Sequence, residues 1–584
     1  MILLAGIVGC QSTNFTFDDR HLADYEKRSL AQASESEYIA DFPKIQNRRP
    51  AMLVGTLTTT QPSIAQSLEW QMPDPSVAAE VFAARAKTVT DERQLRDYER
   101  VSKAAVEHLR DIKRPRQLRL ALAEVIQRAL ANSYAIKIAG FEPAVSTAAI
   151  VEAEAQFDTT FYANWLDVIQ DQATASTLQG TSSRYRTFGA GVRKLLSTGT
   201  AVDIGYNWRR TETDLAFQSL NPSYTNDMAV QLTQPFLRNF GLDLTRSQIN
   251  LARYERRINL EKFRQQVRDT LIQVEQAYWQ LVQKRRDMTV TAELLAQTEE
   301  TYRYIEARRN FDAFQVLITN AQSSVDLRRV DMIRVTAEVK EAEDTLKTVI
   351  NDPELNLADD IEIIPVDIPE VVPIVVDRLA EIQTALDHRS ELKQRDLEIE
   401  SARIVVATAK NQALPRLDAL FTYKPTGLGS DPDRAFDQLS QNDFHEYQVG
   451  LQFEWPLGNR AARAQVKQAK LRYRQAVMGR KAQIEQVLFD VNSAIRNLET
   501  AQEAIYPARD ATLASEKNVQ ATKERAERKS PSELQTELSG QINLAEARRT
   551  LLEALIIYNI SIAELERAKG TLLHYNNVVA EEQY

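Results

Sequence analysis

The side chains able to do chemistry are few and far apart. The five histidines, His21, His108, His388, His445 and His574, stand singly, without metal-ligand spacing. The one cysteine, Cys10, has no second thiol with which to form a disulfide, and no glycine-rich phosphate loop is present. Asp431, Asp433, Asp437 and Asp443 gather near His445 and could hold a divalent cation, but polar loops are commonly acidic. No catalytic residue, metal or cofactor is therefore expected. The formal charge of −9 comes from acids and bases mixed along the chain, with no basic block, which argues against nucleic acid as a partner.

Cys10 closes a short apolar run that begins at Met1 and ends in Ile7-Val8-Gly9. Residues 1–10 resemble a bacterial lipoprotein signal, which implies an acylated cysteine and a lipid anchor at Cys10; the plainer reading is a lone thiol. Gln11 is not the aspartate that, by the same resemblance, would retain a lipoprotein at the inner membrane. The missing basic n-region leaves the true start of the signal open. No other stretch approaches 18 consecutive apolar residues, so no membrane-spanning helix is expected.

Whatever the chain does must therefore come from its architecture, and the stretch from Leu242 to Arg309 organises that. Leu260, Val267, Val274, Leu281, Met288, Leu295 and Tyr302 recur every seven residues, with Leu271 and Tyr278 beside them. This predicts a coiled-coil helix, and about 65 residues would reach roughly 100 Å. The seam returns between Arg460 and Arg525 as Val477, Ile484, Val491, Leu498 and Ile505, with Leu488 and Ile495 flanking. The constant offset of 217 residues indicates an internal duplication.

In chain order, residues 11–117 read as a proline-broken extension with a charged helical run, to which no chemistry can be assigned. Repeat 1 spans 118–351: a helix from Leu118 to Ala155, strand-like segments, the long helix, a turn near Asn310–Phe314 and a return helix from Val316 to Ile350. Residues 352–373 form an extended linker marked by Pro365, Pro369 and Pro373. Repeat 2 spans 374–573; Pro507 should kink its long helix or bound a turn, and the hairpin turns near Ser530-Pro531-Ser532. The tail, 574–584, reads as polar and loose.

The segments between the helices alternate with period two. Val202, Ile204, Tyr206 and Trp208 share one face in repeat 1, and Tyr447, Val449, Leu451, Phe453 and Trp455 do so in repeat 2. Gln448, Gln452 and Glu454 occupy the opposite face of the latter. Greasy outside and polar toward a lumen is the pattern of an outer-membrane strand, facing lipid with the first set and the lumen with the second. Four strands per chain leave two open edges, which cannot face lipid. Several copies must close the sheet, and three would give twelve strands continued by a tube of coiled coils. Residues 185–210 add a hairpin without a counterpart in repeat 2, placed either above the barrel rim or within it.

Helix, strand hairpin, very long helix, turn and return helix, duplicated in one chain, resemble the TolC-type outer-membrane factor family. Leu232-Thr233-Gln234-Pro235-Phe236-Leu237 before Gly241 and Phe453-Glu454-Trp455-Pro456-Leu457 are similar to that family's strand-to-helix passages. The closing helix with Leu538, Gln541, Leu544, Ala547, Ala554, Tyr558, Leu565 and Gly570 is similar to its last helix. The resemblance implies an α+β membrane protein: a trimeric 12-strand outer-membrane β-barrel continued by a long α-helical coiled-coil barrel. It also implies a passive exit duct for efflux or type I secretion, a homotrimer in outer-membrane lipid served by a periplasmic adaptor and an inner-membrane transporter. The docking tip would be Asn310, Phe311 and Asp312 with Ser530, Pro531 and Ser532. Glu533 and Glu537, just past the second turn, either form a solvated helix face or help set a cation preference at the closed tip. Against this stands a soluble or peripheral coiled-coil adaptor or tether, which would lack paired amphipathic strands with an aromatic outer face.

Overall fold

The computed structural model describes residues 44–47, 96, 99–104, 106–107, 116–174, 180–215, 217–309, 315–357, 361–369, 371–525 and 531–581. Cys10, the first tip turn at Asn310, Phe311 and Asp312, and Ser530 lie outside these residues.

The heptad pattern produces the helices it predicts. The first long helix runs Ser247–Ala307, after a single turn at Leu242–Thr245, and its return helix is Gln315–Ile350. The second pair is Arg460–Arg525 and Pro531–Lys569. Leu260, Val267, Leu271, Val274, Tyr278, Leu281, Met288 and Leu295 are all buried, as are Val491, Ile495, Leu498 and Ile505 of the second seam. The second long helix passes through Pro507 with neither a turn nor an end there, correcting the expected boundary. One missing N–H inside 66 residues is outweighed by the packing on either side.

Each repeat opens with a broken helix: Leu122–Asn132 and Tyr134–Glu154 in the first, Arg378–His388 and Ser390–Gln412 in the second. Each strand-to-helix passage carries an Asn and a Gly with positive φ. Asn239 is at 66° and Gly241 at 114°; Gly458 is at 87° and Asn459 at 39°. These residue types tolerate the left-handed region, and here they turn the chain from sheet to tube.

Two small sheets accompany the helices. Strands β1 (Lys44–Asn47) and β10 (Val578–Glu581) pair antiparallel, and β2 (Arg116–Leu120) pairs in parallel with β7 (Ile361–Pro365). The expected linker thus contains a 3-10 turn, Pro353–Leu355, and then the strand β7, with Pro365 at the strand's last position where no further ladder bond is needed. The tail is not loose: it makes a helical turn at Leu572–Tyr575 and then β10, because Leu572 and Val578 are buried in the core of the first hairpin.

The third sheet is the one that matters for function. It contains six antiparallel strands in the order β3 (Thr160–Asp171), β4 (Ser182–Leu195), β5 (Ala201–Thr213), β6 (Ser223–Pro235), β8 (Arg416–Gly429) and β9 (His445–Glu454). The expected four strands per chain are corrected to six in this sheet. The hairpin of β4 and β5 lies inside the sheet between β3 and β6, because its alternation matches both neighbours.

Candidate functional site: a two-faced sheet above a helical tube

Register decides which side chains share a face. Across β8 and β9, Leu417 opposes Phe453, Ala419 opposes Leu451, Phe421 opposes Val449 and Tyr423 opposes Tyr447. Carried through β6 and β5 the same face holds Leu232, Val230 and Met228, then Val202, Ile204, Tyr206 and Trp208. It continues as Val192 and Phe188 on β4 and ends as Phe161 and Trp165 on β3. The two residue sets expected to face lipid therefore lie on a single side of one sheet. Val449 is 80% exposed and Leu451 74% exposed in the single chain. Trp455 follows directly after β9 and is also exposed.

An apolar face of this extent is not stable in water and marks contact with lipid or with another protein. Away from the helices, its outer border is aromatic and then charged. Trp165 and Trp208 stack with ring centroids 6.3 Å apart, Trp208 meets Tyr224 at 6.1 Å, and Tyr423 meets Tyr447 at 4.9 Å. Arg186 and Arg184, one and two same-face positions further out, reach Asp167 at 3.3 and 2.6 Å. Aromatic rings followed by charge are what an interface between hydrocarbon and headgroups selects.

The opposite face is mainly polar, although Leu166 and Leu420 share it. Gln448 and Gln452 lie across from Thr422 and Asp418, and Glu454 from Arg416. Tyr162 donates to Asp203 at 2.7 Å, Arg193 binds the other oxygen of Asp203 at 2.6 Å, and the Arg193 guanidinium sits 4.6 Å from the Tyr162 ring centroid. Asn207 donates to Asp227 at 3.2 Å, and Lys424 approaches the same carboxylate at 3.4 Å. These ties cross five of the six strands. The alternation rule could assign such residues to the wet face, but only register shows which ones meet.

Asp431 caps the helix Pro432–Gln441 by accepting from the Arg434 N–H at 3.0 Å. Asp431 also bonds Ser430. Among the described residues no group of His, Cys, Asp or Glu is arranged to hold a metal.

Below the sheet, the two hairpins are joined by arginines of the second return helix. Arg548 bridges Glu293 at 2.9 Å and Glu516 at 3.0 Å, while Arg549 binds Asp287 and donates to Thr291 at 2.8 Å. Gln541 donates to Thr301 at 3.2 Å nearer the tip. Of the two expected tip acids, Glu533 is exposed, whereas Glu537 is buried beside Gln541 at 3.5 Å. No helix among the described residues is long and apolar enough to cross a membrane.

Three comparisons bear on this arrangement. The outer membrane efflux protein family matches residues 382–571, the greater part of repeat 2. A comparison with curated proteins found no match. Among solved structures, the fold is similar to the CmeC outer membrane channel of Campylobacter jejuni, with 15% identity over 77% of this chain and 86% of that one, and a TM-score of 0.56. It is similar to the open state of the MtrE outer membrane channel of Neisseria gonorrhoeae, with 16% identity, 77% and 89% coverage, and a TM-score of 0.55. The outer membrane protein VceC of Vibrio cholerae matches with 14% identity, 77% and 96% coverage, and a TM-score of 0.55. Members of the matched family are channels rather than enzymes. The chain thus matches the outer membrane efflux protein family in sequence across most of its second repeat and shares the fold of outer membrane channels across both.

Proposed function

We propose that three copies of this chain form a passive exit duct, a barrel in the bacterial outer membrane continued by a helical tube into the periplasm. One observation carries the reading: a single sheet, apolar on one face and polar on the other, rises from the base of two long helical hairpins. Among the described residues the outer edges of strands β3 and β9 are unpaired, so in lipid their free backbone groups must be satisfied by neighbouring copies. The likeness to outer membrane channels supports the trimer and its service by a periplasmic adaptor and an inner-membrane transporter at the hairpin tips. Cys10 is the proposed lipid anchor. Chemistry plays no part; energy comes from the partner transporter.

Membrane fractionation followed by single-particle imaging tests this. A trimer that needs detergent and shows a barrel cap on a hollow tube is the expected result. A rod that stays soluble without detergent overturns it in favour of the adaptor or tether.

A further inference from the structure

We infer that the β4–β5 hairpin is a wall insertion that widens the outer port, so that the trimer closes as an eighteen-stranded barrel. This rests on the proposed trimeric duct. Four features of the hairpin support it. First, β4 pairs with β3 over twelve residues and β5 with β6 over eleven, without a register break, so the hairpin is held as firmly as the strands shared by both repeats. Second, its two faces agree with theirs: Phe188 lies between Trp165 and Trp208 on the apolar side, and Asn207 and Asp203 lie on the polar side. A hairpin folded out of the wall would have no reason to match both.

Third, the hairpin is thinned where a concave wall crowds side chains. Gly189, Gly191 and Gly205 all point to the polar face, where a Cβ on Gly191 would lie 2.6 Å from the Tyr162 ring and one on Gly189 would lie 2.4 Å from Asn164 Oδ1. Fourth, the hairpin contributes to the polar network itself, through Arg193 and Asp203 with Tyr162 on β3, and Asn207 with Asp227 on β6. Removing it would leave both neighbours without those partners.

Barrel diameter grows with strand number. With strands about 4.8 Å apart and tilted by about 40°, twelve give a backbone diameter of roughly 24 Å and eighteen roughly 36 Å. Subtracting about 5 Å of side chain on each side leaves clear lumens of about 14 Å and about 26 Å. The port is then wide enough for cargo that a twelve-stranded ring excludes, and its wall gains a polar sector from Arg193, Asp203, Asn207 and Arg209.

Strand counting in a single-particle reconstruction of the full-length trimer is the first test. Eighteen strands with residues 182–213 in the wall are expected; twelve strands with those residues outside it would overturn the inference while leaving the duct intact. Absence of a trimer or of any barrel would instead sink the duct reading. The second test measures width. Thr422 lies on the polar face, and the reaction of Thr422→Cys with maleimide-coupled polyethylene glycols added from outside is followed in the full chain and in one lacking residues 175–218. The same chains with Thr422 kept correct for Cys10. Polymers about 15 to 25 Å across should label the full chain at least tenfold faster than the shortened one. Equal size cut-offs in the two chains would refute the widening.

Discussion

The two long helices descend from one pattern, yet they are buried differently. At the 217-residue offset, Arg285 corresponds to Gln502, Glu275 to Asn492 and Tyr278 to Ile495. Arg285 is only 2% exposed and bonds Glu343 and, at 2.7 Å, Glu362; Gln502 is half-buried and accepts a bond from the Ile374 N–H at 3.4 Å. The difference is the cover. The first hairpin packs against β2, β7, Leu572 and Val578, together with Val101 and Val106, so its polar flank is enclosed and every charge there needs a counterpart. Among the described residues the second hairpin has no such strands over it, and amides suffice at the same places. A duplicated helix keeps its apolar seam and lets its flank follow the environment.

Breaking the enclosed pairing should have the largest effect. Arg285→Ala leaves Glu343 and Glu362 without their buried cation and should cost about 3–5 kcal/mol. Gln502→Ala should cost less than about 1 kcal/mol. Thermal unfolding of the two variants in detergent measures the contrast, and equal losses would mean that the flanks are equally covered.

Glu275 sharpens the comparison through pH. Burial raises its carboxyl from an ordinary 4.5 to about 7, against the opposing bond from Asn576 at 2.7 Å. With the folded value above the unfolded one, its full contribution is present below about pH 4.5 and is lost as pH rises through about 7. Glu275→Gln, which adopts the amide chemistry of Asn492, should remove that slope. It should add up to about 3 kcal/mol above pH 7 and nothing near pH 4. Unfolding midpoints across pH 4–8 would show it; parallel curves for both proteins would rule it out.

Tyr278 is the third difference. Its hydroxyl donates to Asp367 at 2.6 Å and accepts from the Asp367 N–H at 3.2 Å, locking the linker to the first long helix. Burial and the Asp367 carboxylate together raise its pKa, so it stays a donor throughout the physiological range. Tyr278→Phe should cost about 1–3 kcal/mol and speed hydrogen exchange at residues 364–367. Ile495→Val at the matching position should cost about 1 kcal/mol with no change in the linker.

Much of this was legible from sequence, for stated physical reasons. A heptad such as Leu260 to Tyr302 fixes both helix and buried stripe, because the side chains' period is the structure's period. Val202 to Trp208 fixes a strand and its faces in the same way. Period two does not name a strand's neighbour, however, and the β4–β5 hairpin was therefore readable as strands while its place between β3 and β6 was not. The buried charges were hidden more deeply. Arg285 and Glu275 look like the wet flank of a coiled coil, and the segments that cover them, β7 and the tail, lie far along the chain. Ile361–Pro365 read as linker because prolines mark it, although a strand ending at Pro365 needs no further N–H.

The smallest contrast lies at the ends of the return helices. Asn351 (φ 54°) closes the first and Gly570 (φ 81°) the second, each in the left-handed region that ends a helix. The Gly570 turn is completed by the Thr571 N–H bonding to the Glu566 carbonyl at 2.9 Å. A Cβ at residue 570 would stand 3.0 Å from both Arg268 Nη1 and the His388 carbonyl carbon, so Gly570→Ala adds crowding to backbone strain and should cost about 1–2 kcal/mol. Asn351 already carries a Cβ there, and Asn351→Gly should change stability by no more than about 0.5 kcal/mol. Denaturant midpoints resolve the two. If Gly570→Ala proved as mild as Asn351→Gly, the second closing turn would be as loosely enclosed as the first, and the asymmetry between the repeats would stop short of their ends.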